Sequence, residues 1–248
     1  MDPTQLLLVI GFFVIALIYS MVGFGGGSSY LALLAQPFFF LSQSEIRPAA
    51  LLCNIVVVAG GAYIFYKEGK VDFKKNWPFL AASVPMAFLG AYWKISDATF
   101  FLLLGFSLLA ASVLLWFQPS GNKNFRPNST GLNFGIGGGV GFLSGLVGIG
   151  GGIFLAPILH LMNWNEAKKI AALASLFILV NSISGLLGIA ATDVKINWPF
   201  TTPLRLAVLA GGQIGSRFGA RKFDPVIIKR ITAVLIFLAA INILRDHL

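Results

Sequence analysis

A cluster of glycines interrupts a long apolar run twice in this chain, at matching places. The first copy reads Met21-Val-Gly-Phe-Gly-Gly-Gly-Ser-Ser-Tyr-Leu-Ala32, and the second Leu146-Val-Gly-Ile-Gly-Gly-Gly-Ile-Phe-Leu-Ala-Pro157. The two V-G-x-G-G-G cores lie 125 positions apart, counted from Gly23 to Gly148. Glycine lets backbone turn sharply and lets another group approach it closely. A cluster of it inside an apolar run reads as a break in a helix. Two such breaks read as the halves of one binding site.

The setting of these breaks is a membrane. Of the 248 residues, 57% are hydrophobic and 11% charged, where a soluble domain carries about 25% charged residues. Apolar runs recur at 5–41, 48–66, 77–93, 98–117, 131–162, 170–190 and 226–244. Several reach the roughly 20 residues that a helix needs to cross a bilayer. The expected fold class is all-α, a polytopic helical membrane protein. The formal net charge of +9 does not require nucleic acid as a partner, because the positive residues sit between apolar segments, where the positive-inside bias puts them. Cys53 is the only cysteine, which excludes an internal disulfide. The start, Met-Asp-Pro-Thr-Gln, lacks the basic region of a signal peptide, so the first helix is expected to be retained.

The landmarks around the two breaks recur in the same order. The first repeat is expected over 1–117, with a broken hairpin at 5–41 and helices at 49–66, 77–93 and 98–117. A linker at 118–130, rich in turn residues, joins it to a second repeat over 131–248, with a broken hairpin at 131–162 and helices at 168–190, 199–216 and 226–244. Ala171-Ala-Leu matches Ala49-Ala-Leu, and Asn197-Trp198-Pro199 echoes Asn76-Trp77-Pro78. Internal repeats of this kind are a common plan of secondary transporters.

Charge selects a topology. If each broken unit enters and leaves on one side, the loops on one face hold 13 Lys and Arg and the opposite face 4 (Arg47, Lys94, Lys195 and Arg245), with Arg205 left inside a helix. If each broken unit is one kinked crossing, the bias nearly vanishes. The hairpin arrangement therefore fits the positive-inside rule. It puts both termini on the non-cytoplasmic side and makes the halves inverted copies. Whether the second arm of each hairpin is re-entrant or a full span stays open, because the parity is the same.

The resumed segments start at Gly27/Ser28 and Gly152/Ile153. A helix start carries unpaired N–H groups and the positive end of the dipole, which suits an anion. Unwound backbone persists in a membrane only where it is buried in protein or lines a water-filled cavity. The expected substrate-binding residues are Gly25, Gly26, Gly27 and Ser28 from the first break and Gly150, Gly151 and Gly152 from the second. Asn54 and Ser175, near the Ala-Ala-Leu landmarks, would flank them. Arg205, deep in the helix 199–216, would add charge, since an intramembrane cation is expensive and suited to oxyanions; snorkelling to the interface is its bland alternative. Asn181, Ser182 and Ser184 are polar in the same apolar context but rank lower, as do Gln36, Gln213, Asn242 and His160. The G-x-x-x-G spacing of Gly131, Gly135 and Gly139 reads as close helix packing.

No Asp or Glu lies deep in an apolar segment, and no metalloprotease, nucleotide-binding or paired-cysteine motif occurs. No metal, cofactor or enzymatic activity is expected. Facilitated or gradient-driven passage is left, with a small-anion channel and an intramembrane scaffold as alternatives.

At Gly148-Ile-Gly-Gly-Gly-Ile-Phe-Leu-Ala-Pro157 the chain resembles the sulfite exporter TauE/SafE family, also called the toluene sulfonate uptake permease (TSUP) family. The Ala-Ala-Leu and Trp-Pro landmarks extend the likeness over nearly the whole chain. The first copy departs from it, with Leu31-Ala32 where the proline would fall. The resemblance implies an inner-membrane permease for sulfite or an organosulfonate such as sulfoacetate. The expected partners are thus a small anionic substrate and the lipid bilayer. A homodimer is possible, because glycine-rich helix faces would serve internal packing and a dimer equally well.

Overall fold

The computed structural model describes residues 3–21, 25–117, 125, 129–219 and 225–248. Gly23, most of the expected linker and the Arg221-Lys222 part of the last basic loop lie outside them. The described residues form ten α-helices in order: α1 Pro3–Met21, α2 Gly27–Leu34, α3 Gln43–Lys67, α4 Phe73–Tyr92, α5 Asp97–Trp116, α6 Thr130–Val147, α7 Gly152–Leu161, α8 Ala167–Ala190, α9 Trp198–Gly219 and α10 Pro225–His247. A short 3-10 turn, Pro37–Phe39, follows α2. Among the described residues there is no strand.

Five of these helices are long and apolar enough to cross a membrane: Pro3–Ser20, Gln43–Lys67, Asp97–Trp116, Thr130–Val147 and Ala167–Ala190. Polarity is distributed to match. Large apolar side chains stand exposed along outer faces, such as Leu6, Leu7, Ile10 and Val14 on α1 and Val234, Leu235, Leu238 and Ile241 on α10. Asn54, Ser83, Ser144, Asn181 and Ser182 are buried in the interior. Contiguous apolar surface of this extent marks contact with lipid or protein rather than water. The protein is a multi-pass helical membrane protein.

The packing interleaves the two sets of five helices. At the centre α3 lies along α8, while α1 packs on α9, α6 on α4 and α5 on α10. The shorter contacts are α2 with α3 and α10, and α7 with α8 and α5. Exchanging α1–α5 for α6–α10 maps α3–α8 and α5–α10 onto themselves and each of the other pairings onto another. Each glycine-broken unit is therefore clasped by the fourth helix of the other set.

Glycine makes the closest of these contacts possible, though not at the expected positions. Gly131, Gly135 and Gly139 have open space beside them, which corrects their reading as a packing face. The face two residues further on carries the contact. A β-carbon on Gly137 would stand 2.5 Å from Phe79 O, one on Gly141 2.6 Å from Ser83 Cα, and one on Gly145 would overlap Ala87 O. Gly211 and Gly215 of α9 meet the α1 backbone at Phe13 and Leu17 in the same way. The spacing of four is real; which stripe faces the neighbour is set by the rotation of α6.

Two helix starts also differ from expectation. Helix α3 begins at Gln43 instead of 49, because Ser42 and Glu45 form a capping box and Pro48 is tolerated in the second turn. Arg47 is thereby drawn into a buried helix. Likewise α4 starts at Phe73 instead of 77, since the Asp72 side chain accepts from the Lys75 N–H.

The resumed arms are short. Helix α2 has 8 residues and α7 has 10, lengths of about 12 and 15 Å at the helical rise. A bilayer core is about 30 Å thick, so neither arm can cross it.

Candidate functional site

The two breaks meet. Gly26, the residue before α2, has φ 79°, and Gly151, the residue before α7, has φ 84°. That left-handed conformation suits glycine and turns the chain into each short helix. Neither N-cap can supply a side chain to the first-turn N–H groups, and neither helix start has a side-chain cap. Gly25–Ser28 and the whole stretch Gly148–Pro157 are buried. Each arm thus begins inside the protein, where uncapped N–H groups have no access to bulk water.

Asn54 of α3 joins the two. Its Nδ2 donates to the Ile149 carbonyl at 3.1 Å. A β-carbon built on Gly27 would overlap the Asn54 amide and stand 2.6 Å from Ile149 O. One on Gly25 would lie 3.1 Å from Asn54 Oδ1, and one on Gly150 2.9 Å from Asn54 Nδ2. One fully buried amide therefore touches three glycines from two breaks that are distant in sequence.

The junction is rich in buried polar atoms with no partner. Asn54 Oδ1 is one and Ser182 Oγ another; the latter lies 3.1 Å from the β-position of Gly150. Ser144 Oγ and Tyr30 OH are also unpaired, beside Gly151 and Gly26 respectively. Buried polar atoms normally find partners, so these orphans along the two breaks suit a ligand or ordered water. Around them the walls are apolar: Phe12 stacks on Tyr30 at 4.6 Å between centroids, and Ile178 packs against Gly25, Gly150 and Gly152.

The remaining expected residues fall as follows. Ser28 is buried at the start of α2, and its neighbour Ser29 bonds the Tyr19 hydroxyl at 2.5 Å. Ser175 is buried and faces a small cavity of about 80 Å³ shared with Ser20 and Gln213; Val58, in the wall of that cavity, abuts Gly25. The Arg205 guanidinium donates to Thr202 Oγ1 at 2.8 Å and lies over the Trp198 ring at 5.0 Å. Both partners are toward the start of α9, so Arg205 turns along its own helix and no bond to the described residues of either break is seen. Gln36 and Asn242 bond each other at 2.7 Å, which clamps the end of the first hairpin to α10. Ser184 donates to Val84 O at 2.6 Å and serves packing.

Sequence reasoning left out Tyr30, Ser144 and Arg47 and ranked Ser182 low. Tyr30 was legible as the one large polar side chain directly after the first cluster. The Asn181-Ser182 doublet stands in the middle of an apolar helix, and the capping box at Ser42 would have drawn attention to Arg47. Nothing in the sequence singled out Ser144.

Comparison with known proteins points to membrane transporters. The family model described as "Sulfite exporter TauE/SafE" matches residues 7–243. The "Probable membrane transporter protein y4hK" of Sinorhizobium fredii (strain NBRC 101917 / NGR234) is 33% identical over 250 residues, covering 98% of this chain and all of the relative. The "Probable membrane transporter protein YunE" of Bacillus subtilis (strain 168) is 25% identical over 250 residues, covering 88% of this chain and 90% of the relative. No solved structure matches. The ten-helix bundle with its paired glycine breaks, matched from residue 7 to residue 243, belongs to the sulfite exporter TauE/SafE family of membrane transporters.

Proposed function

We propose that this chain is a permease of the cell inner membrane that carries a small sulfur-containing oxyanion, sulfite or an organosulfonate such as sulfoacetate. The observation that carries the proposal is the junction at Asn54, where Gly27, at one uncapped helix start, meets Ile149 of the other break, with the unpaired Asn54 Oδ1 and Ser182 Oγ beside Gly25 and Gly150. The ligand's oxygens accept from first-turn N–H groups at Gly27, Ser28 and Gly152, and from the Ser182 hydroxyl. Dipoles of α2 and α7 add positive potential there. Asn54 Oδ1 accepts a hydrogen from a protonated ligand oxygen or from an accompanying water. Arg205 and Ser175 act at a distance, through field and through the adjoining small cavity.

The exchange symmetry of the helix pairings supports reading the halves 1–117 and 131–248 as inverted repeats. In that reading the Lys67–Lys75 end is cytoplasmic and both termini lie on the other side. The two halves rock about the α3–α8 contact, exposing the junction to one side and then the other.

Counterflow in proteoliposomes tests the proposal. Vesicles preloaded with sulfite or sulfoacetate should accumulate the labelled anion with saturation. No accumulation of either above empty vesicles rejects the proposed substrates, and flux that never saturates favours a channel. Ser182→Ala should raise the half-saturating concentration up to about tenfold, the effect of one hydrogen bond, with an unchanged melting midpoint.

A further inference from the structure

Arg47 has no part in the junction, yet it is buried beside Gly148 of the second break. It is 7% exposed. Its Nη2 donates to Ala91 O at 2.9 Å and Gly145 O at 3.0 Å. These carbonyls sit in the last turns of α4 and α6, where a cation complements the helix dipole. Its Nε has no partner. Its stem lies 3.3 Å from the β-position of Gly148, two residues before Gly150.

On its other side Arg47 lines an open cavity of about 480 Å³, with Lys94, Asp193 and Lys195 among the walls. Lys94 and Asp193 pair with each other at 3.3 Å. Lys195 and Arg47 are then uncompensated among the four charged residues lining it. Neither neighbouring carboxylate is among the lining residues: Glu45 accepts from Ser42, and Asp97, at the rim, accepts from the N–H of the lining residue Gln43 at 3.4 Å.

We propose that this cavity is a vestibule through which a small oxyanion reaches the glycine junction, with Arg47 at its floor as a positioning residue. The inference rests on the permease reading above. The orphan Nε, together with an Nη, presents the bidentate fork that suits an oxyanion. An anion held there draws the guanidinium away from Gly145 O. That carbonyl belongs to the last turn before the second break, so the anion loosens the segment that must yield to admit it.

The test is charge-selective quenching. Thr192 lines the cavity, and Cys53, the only native cysteine, is buried. A bimane label on Thr192→Cys in nanodiscs thus reports on the vestibule. Iodide should quench it about threefold more effectively than caesium, as expected in a modest positive potential. Arg47→Gln should cut iodide quenching by half or more and leave quenching by neutral acrylamide unchanged; Arg47→Lys should retain it. Equal quenching by iodide and caesium in the otherwise native protein overturns the vestibule, and that readout needs no Arg47 variant to fold. An Arg47→Gln protein with unaltered acrylamide and iodide quenching overturns the role of Arg47. Strong iodide preference without sulfite or sulfoacetate counterflow keeps the vestibule and rejects those substrates, whereas counterflow without iodide preference does the reverse.

Discussion

Gly27→Ala should abolish transport while leaving most of the bundle folded. The added methyl has nowhere to go: it overlaps the Asn54 amide and stands 2.6 Å from the Ile149 carbonyl oxygen. A flexible side chain could swing aside, but a backbone carbonyl moves only with its segment. Forcing an extra carbon into a packed interior costs about 1–3 kcal/mol, and here the strain falls on the contact between the two breaks. Displacing binding groups by an ångström lowers a rate by about 100-fold in well-positioned sites. Counterflow should therefore fall by about that factor, and size-exclusion chromatography should still show a monodisperse protein. Gly139→Ala is the control, since Gly139 lies on α6 with nothing within 4 Å of its β-position. Native flux in Gly27→Ala would show that the breaks need not touch during transport.

Gly145→Leu should unfold the protein, and Gly139→Leu should not. Both residues lie on α6, six positions apart, and both belong to series spaced by four. A β-carbon on Gly145 falls on Ala87 O, whereas Gly139 has nothing within 4 Å. The leucine at 145 must prise α6 from α4 along a contact where Gly137 and Gly141 meet backbone just as closely. The expected loss is at least about 3 kcal/mol, at the upper end for overpacking. Thermal unfolding followed by fluorescence-detected chromatography checks it. The midpoint should collapse for Gly145→Leu and stay within a degree or two for Gly139→Leu.

That pair of variants also shows what the sequence could and could not give away. Helix ends in the second set were legible to within a few residues, because Ser129 caps α6 and Trp198-Pro199 opens α9. The breaks were legible because glycine clusters have few other uses inside an apolar run. The facing of each helix was not. In a soluble protein the apolar stripe identifies the buried face. Here lipid and protein interior are both apolar, so the outer Val234 and Leu238 of α10 look like its buried Ile236 and Ala240. Rotation about each helix axis is then set by small residues and polar pairs, which is why Gly131, Gly135 and Gly139 were misassigned.

The candidate site was legible to a similar depth. Asn54 meets Gly25, Gly27 and Gly150; the doubled glycine cluster pointed to the breaks, and the Ala-Ala-Leu landmark to Asn54. Arg205 stood out for its cost in a membrane, but its side chain turns along α9 to Thr202 and Trp198. A tryptophan seven residues earlier, on the same helix face, gives the guanidinium a partner that outweighs a reach toward the breaks. Arg47 shows the converse. Next to a proline it resembled a loop residue, and only the capping box, which starts α3 earlier, puts it in the interior. Interleaving of the halves was illegible because no local sequence signal says which fourth helix clasps which hairpin.

Asn54→Asp gives the most direct test of the central claim that the junction binds an anion. The change keeps the shape of the side chain and places a carboxylate against both helix starts. A ligand bound only by the folded protein raises its stability by about 2.7 kcal/mol at a hundred times its dissociation constant. Thermal unfolding in detergent with increasing sulfite or sulfoacetate should therefore raise the midpoint of the native protein. In Asn54→Asp the same anions should leave the midpoint unmoved at every concentration that stabilises the native protein. An equal rise in both proteins would contradict the account and place the anion elsewhere.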